Sequence, residues 1–308
     1  MSKASAPGKI ILFGEHAVVY SRPALAVPVP KVHADVEITD SPNPELWVEA
    51  PGIALNAALA TLAPTDALRT VIERFFQTLG VDTPPALHIK ITSTIPVASG
   101  LGSGAAVSVA LIRALGLTFG QPLTDEQVNT LAYEIEKLHH GTPSGIDNTV
   151  ITYGKPVYFV RGQTIETFHV GKPFTLVIGN TGVVAPTKET VGAVRERWQA
   201  DPPRWEAVFD QVGKITNQAR VAIETGETAS LGPLMDANHA LLQTMGVSSP
   251  ELDTLVVAAK ESGALGAKLS GGGGGGNMIA LAEPQNAESI AGALEAVGAV
   301  STIITIIH

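Results

Sequence analysis

Between residues 87 and 117 the sequence changes its period around a glycine-rich loop, and this change constrains the fold more than any other feature. Leu87-His88-Ile89-Lys90-Ile91-Thr92 alternates apolar and polar side chains, the period of a half-buried strand. Ala105 to Leu117 is a run of small apolar residues, which reads as a buried helix. Between them lies Pro96-Val97-Ala98-Ser99-Gly100-Leu101-Gly102-Ser103-Gly104-Ala105-Ala106. A strand feeding a helix through such a loop requires sheet and helix packed in layers. Glycines at a helix N-terminus let backbone N–H groups approach a ligand, and the helix dipole favours an anion there, with phosphate the obvious candidate. A plain glycine-rich turn is the competing reading. The loop has neither the Gly-Lys-Ser/Thr ending of a P-loop nor a clean dinucleotide fingerprint, so its companions must decide.

A chain of 308 residues with 45% hydrophobic content is long enough for two domains with real cores. No apolar run reaches the roughly 18 residues of a membrane helix. The short run Ile10–Phe13 ends at Gly14-Glu15-His16, too soon for a signal peptide. With no cysteine there is no disulfide framework or thiolate chemistry, which fits a cytoplasmic location. A net charge of −9 gives no attraction to nucleic acid or to an anionic membrane. If such a protein binds a polyphosphate, it must place its few cations locally or use Mg²⁺.

Residues 6–20 read as a strand, a polar turn and a resumed strand, followed by strands at 31–38 and 46–49 and helices at about 53–62 and 65–79. Thr124 with Gln127 forms a capping box for a helix running to about His140. Strands are expected at 156–160, 164–170 and 174–179, then helices at about 187–199, 204–225, 228–244 and 250–262. Lys268-Leu269-Ser270 leads into six glycines, 271–276, then an apolar run at 278–281, a helix at 284–297 and a last strand at 300–307. The breaks at 171–186 separate two expected domains, 1–175 and 176–308, and the whole reads as α+β.

Several residues could carry chemistry. Polyglycine is often a linker, but an apolar strand begins two residues after this run and no charged or serine-rich spacer surrounds it. It is better explained as backbone lying against a ligand. Ser144-Gly145-Ile146-Asp147 reads either as a helix cap, or as a carboxylate on a glycine turn placed to accept a hydroxyl proton. Glu136 is either a solvated helix residue or a Mg²⁺ ligand beside phosphates. Lys9, ahead of an apolar strand, needs an anionic partner if buried, either Asp147 or a phosphate. His16 has no second ligand at zinc spacing and keeps a hydrogen-bonding or turn role.

In their order along the chain these strings resemble the GHMP small-molecule kinases, named for galactokinase, homoserine kinase, mevalonate kinase and phosphomevalonate kinase. The resemblance rests on Gly14-Glu15-His16-Ala17-Val18-Val19-Tyr20-Ser21-Arg22-Pro23-Ala24-Leu25-Ala26, on the loop at 96–106, on Glu136 through Asn148, and on the late glycine cluster. The first and third strings are most similar to the mevalonate kinase branch. The resemblance implies two α+β domains, the first of the ribosomal protein S5 domain 2-like type and the second ferredoxin-like. It implies ATP and Mg²⁺, and phosphorylation of the primary hydroxyl of mevalonate, with a homodimer as the assembly.

By position, Asp147 matches the catalytic base and Lys9 its polarising lysine. Residues 96–106, from Pro96 through Val97, Ala98 and Ser99 to Ala106, match the ATP loop, and Glu136 with Ser103 match the metal ligands. Glu15, His16, Thr187, Gly271 and Gly272 match the substrate side. The chain departs from the family pattern at Gly104, where a second serine is usual, and in Ser-Gly-Gly-Gly-Gly in place of Thr-Gly-Ala-Gly-Gly. Rival readings are phosphomevalonate kinase, a mevalonate-type decarboxylase, and a non-catalytic sensor with this fold.

Overall fold

A computed structural model describes residues 1–96, 99–140, 144–184 and 186–308, with the side chains of 139 and 140 left out. The strands are β1 (Ser2–Phe13), β2 (Ala24–Asp40), β3 (Trp47–Ala50), β4 (Leu55–Ala58), β5 (Leu87–Ser93), β6 (Val157–Phe159), β7 (Glu166–Thr167), β8 (Phe174–Asn180), β9 (Gly266–Ser270), β10 (Asn277–Ala282) and β11 (Ser301–Ile307). The helices are α1 (Ala67–Thr78), α2 (Ser103–Thr118), α3 (Asp125–His140), α4 (Ile146–Tyr153), α5 (Thr187–Ala200), α6 (Pro202–Thr225), α7 (Leu231–Thr244), α8 (Pro250–Glu261) and α9 (Ala287–Ala296). The chain folds into two compact units whose segments interleave. The first holds residues 1–8, 32–97 and 101–154, and the second holds 9–31, 98–100 and 155–308. β8 runs across positions 175 and 176.

In the first unit the strand order is β4-β3-β5-β2, with β3 and β5 parallel and the other pairs antiparallel. The alternation of β5 buries Leu87, Ile89 and Ile91 and leaves His88 and Lys90 to pair with Glu49 of β3, each at 3.2 Å. Asp66 caps α1 by accepting from the N–H groups of Leu68 and Arg69. The apolar stripe of α1, Val71, Ile72, Phe75 and Phe76, is fully buried, each side chain contributing about 1.5–3 kcal/mol. α2 is apolar around most of its surface because α1, α3 and α4 all pack on it. The Thr124–Gln127 capping box forms at the start of α3, with both reciprocal bonds in place.

The second unit contains a four-stranded antiparallel sheet of order β11-β8-β10-β9. With one helical connection between β8 and β9 and another between β10 and β11, this is the ferredoxin-like β-α-β-β-α-β arrangement, the first crossover being enlarged to four helices. β9 and β10 are buried along their whole length. Their core includes Val177, Phe209, Leu242, Leu252, Leu269, Met278 and Ile290. The same unit carries the antiparallel pairs of β2 with β6 and β6 with β7.

Two expectations about secondary structure are corrected. Residues 53–62 are not a helix: Leu55–Ala58 pairs with β3, and Trp47 Nε1 donates to Asn56 Oδ1 at 2.5 Å. The helix propensity of its alanines yields to this pairing. Nor does a strand resume after Gly14-Glu15-His16. Ala17–Tyr20 is a turn of 3-10 helix, and the next strand begins at Ala24.

Candidate active site

The glycine loop of the first unit ends at Gly102, which starts α2 in a left-handed conformation with no side chain capping it. The N-cap residue thus offers no side-chain acceptor to the first-turn N–H groups of α2, and such a helix start favours an anion. Ser103 is half-buried at the first helical position, and Gly104 beside it is exposed. A Cβ built on Gly104 has no atom within 4 Å. Pro96 precedes this stretch, whereas Val97 and Ala98 lie outside the described residues. Ala105 and Ala106 are buried, which fits the role of seating the helix.

Asp147 is half-buried in the first turn of α4. Gly145 rather than Ser144 is the N-cap, and Ser144 Oγ accepts from Ile146 N at 3.3 Å. α4 is tied to α3 by Asn148 Nδ2, which donates to Asn129 Oδ1 at 2.6 Å, while within α4 Thr149 Oγ1 donates to the N-cap carbonyl Gly145 O at 2.6 Å. Glu136 is half-buried on α3.

In the second unit β1 carries Lys9, only 5% exposed, and ends in a turn that turns two polar residues inward. Gly14 makes this turn possible. Its φ is +97°, and a Cβ there would lie 2.3 Å from Pro23 O. Glu15 and His16 follow, 2% and 5% exposed. Both are held by the strand–glycine–strand hairpin near the other end of the chain. Lys268 Nζ of β9 pairs with Glu15 Oε1, both side chains being buried. His16 Nε2 lies 2.9 Å from Gly272 O. A carbonyl only accepts, so Nε2 carries the proton and donates it. Glu15 Oε2 and His16 Nδ1 are buried and have no hydrogen-bond partner among the described residues. Burial lowers the His16 pKa to about 4, against a smaller opposing effect of the Gly272 bond, so the ring is neutral at pH 7.

The six glycines form the turn of the β9–β10 hairpin, in which Ser270 pairs with Asn277. Gly272 lies against Thr187, the first residue of α5, whose Oγ1 would be 2.9 Å from an added Cβ. Gly271 has an open neighbourhood and a φ of +94°. Asn277 closes the hairpin with donation from Nδ2 to Ser99 O, and Asn180 Nδ2 donates to Asn277 Oδ1 at 2.9 Å. The hairpin thus gathers Glu15, His16, Thr187, Gly272 and Ser99. The sequence reading passed over Lys268 and Asn277. The signal for Lys268 was a lysine between two apolar residues ahead of the glycines.

Comparison with known proteins reaches nearly the whole chain. The family model of the GHMP kinases N terminal domain matches residues 66–155, and that of the GHMP kinases C terminal matches 219–300. Mevalonate kinase of Pyrococcus horikoshii is 36% identical over 97% of this chain and 94% of its own length. The enzyme of Thermococcus sibiricus is 37% identical over 98% and 95%. The crystal structure of L. major mevalonate kinase in complex with R-mevalonate superposes with a TM-score of 0.88 at 33% identity, covering all of this chain and 96% of that one. ATP is the phosphoryl donor of such kinases. The chain belongs to the GHMP kinase family, with mevalonate kinases as its full-length relatives.

Proposed function

We propose that the chain catalyses the reaction named by those relatives, transfer of the γ-phosphoryl group of ATP to the primary hydroxyl of mevalonate, giving 5-phosphomevalonate. The observation that carries this reading is the likeness to mevalonate kinases over 97% of the chain. The chemistry of the residues supports it. Phosphoryl transfer asks the protein mainly for positioning and electrostatic stabilisation. Asp147 accepts the proton of the attacking hydroxyl. Lys9 offsets the charge that develops. The N-terminus of α2, from Gly102 to Ala106, receives the phosphates. Glu15 Oε2 and His16 Nδ1, both acceptors, suit a substrate that offers hydroxyl donors.

The residues present also fit Mg²⁺. Ser103 and Glu136 sit on packed helices and supply one hydroxyl and one carboxylate, the hard oxygen donors this ion takes beside phosphate oxygens and water. The open space at Gly104 leaves room for such a water. Held there, Mg²⁺ would neutralise charge on the phosphates.

A coupled ADP-release assay with mevalonate, mevalonate phosphate and galactose tests the proposal, with turnover expected on mevalonate alone. Turnover confined to one of the other two would refute the substrate assignment. Asp147→Asn is expected to lower kcat by about 10²–10⁴-fold with nucleotide affinity retained. Near-normal turnover would remove Asp147 from the role of base.

A further inference from the structure

A lysine with no exposed surface is costly unless its charge and its donors are answered. Lys268 has a side-chain exposure of 0%. Its ammonium has three protons, and fixed protein groups surround it: Glu15 Oε1, the carbonyl of Leu269 at 2.6 Å, and the ring of Phe13 with its centroid at 5.9 Å. Two of these are hydrogen-bond acceptors and the third is an aromatic face that attracts a cation. Among the described residues its charge is therefore answered from within the protein. Burial pushes the Lys268 pKa down, while the charge and hydrogen bond of Glu15 act in the opposite sense. Glu15 is held by one oxygen only, since its other oxygen has no partner among the described residues. Such an arrangement suits an anchor rather than a contact.

We propose that Lys268 is a positioning residue: by holding Glu15 Oε1 it keeps the Glu15 carboxylate in place, with Oε2 presented as a hydrogen-bond acceptor to the alcohol substrate. This rests on the reading of Glu15 as a substrate-side residue. Lys268 then contributes to binding only through Glu15, over a sequence separation of 253 residues. A residue acting only through another has no effect once that other is removed.

The test is a double-mutant cycle of Lys268→Met and Glu15→Gln in the full-length enzyme, with KM for mevalonate and KM for ATP measured separately. Each single variant is expected to raise KM for mevalonate by roughly tenfold or more, the scale of a lost hydrogen bond to a charged group, and to leave KM for ATP within about twofold. The double variant is expected to match Glu15→Gln. Lys268→Met strands a buried carboxylate, so it can fail to fold. The double variant removes both charges, and its comparison with Glu15→Gln alone then decides. Equal KM values support the proposal. A further tenfold rise in the double variant, or a Lys268→Met enzyme with the parent's KM, overturns it. If the parent phosphorylates a different alcohol, the same cycle read on that alcohol tests Lys268 independently of the substrate assignment.

Discussion

The two glycine-rich loops look alike as sequence and differ in what holds them. In the hairpin turn of 271–276, Gly272, Gly273 and Gly275 are required by their surroundings, and Gly271 and Gly276 by their positive φ. A Cβ on Gly273 would lie 2.0 Å from Val247 O, and one on Gly275 2.5 Å from Val183 O. The hairpin is also tied down by its own amides, with Gly274 N donating to Val247 O and Gly276 N to Val183 O. Gly104 of the other loop is helical, exposed and surrounded by open space. Packing therefore dictates the composition of the hairpin, whereas at Gly104 nothing in the described structure demands glycine. A loop can be glycine-rich because neighbours press on it or because a ligand must, and only neighbour distances separate the two.

The sharpest way to break this contrast is Gly273→Ala. At a φ of +76° and with a carbonyl in the way, the loss should be roughly 2–5 kcal/mol, read as a fall in denaturation midpoint. Stability within about 0.5 kcal/mol of the parent would show that the hairpin yields easily.

The hairpin should also carry a pH dependence that the loop at α2 lacks. His16, bonded to Gly272, has its pKa lowered from 6.5 to about 4 in the folded chain. The unfolded chain therefore takes up a proton first. The contribution is fully present above pH 6.5 and is lost as pH falls toward 4, a change of about 3 kcal/mol. Denaturation curves at several pH values should follow this slope, and His16→Gln should flatten it. An unchanged slope in that variant would assign the effect elsewhere.

Substitutions at Gly104 should be mild. Gly104→Ser restores a hydroxyl where the family usually has one, and should tighten Mg·ATP binding by a few fold without loss of stability. Gly104→Ala should stabilise α2 by about 0.4–1 kcal/mol. An unaltered Mg²⁺ dependence in Gly104→Ser would mean that Ser103 and Glu136 already suffice.

The features legible in the sequence are local ones. The capping box of Thr124 and Gln127 spans four residues and forms as read. The helices α5, α6 and α8 carry their own start and stop signals, Pro202 and Gly226 among them. Leu55–Ala58 was misread because its pairing with Trp47–Ala50 outweighs the preference of its alanines. Five-residue β9 went unread because a lysine interrupts its apolar run, and the partner that makes this lysine acceptable lies 253 residues away. The same distance hides the site geometry. Glu15 and His16 were singled out by resemblance, but no pattern in the sequence says that Lys268 and Gly272 hold them.

The pairing of Glu15 with Lys268 also bears on the order of events during synthesis. The strand that ends at Phe13 emerges from the ribosome early, but the countercharge for its turn is encoded 253 residues later. Until β9 has been made, Glu15 cannot be buried without leaving a charge uncompensated, so it stays in water and the turn stays open. The second unit must close a long loop before it gains its most deeply buried ion pair among the described residues, which makes its completion a late step. The first unit is complete in sequence by residue 154, and it can assemble while the rest of the chain is still being translated.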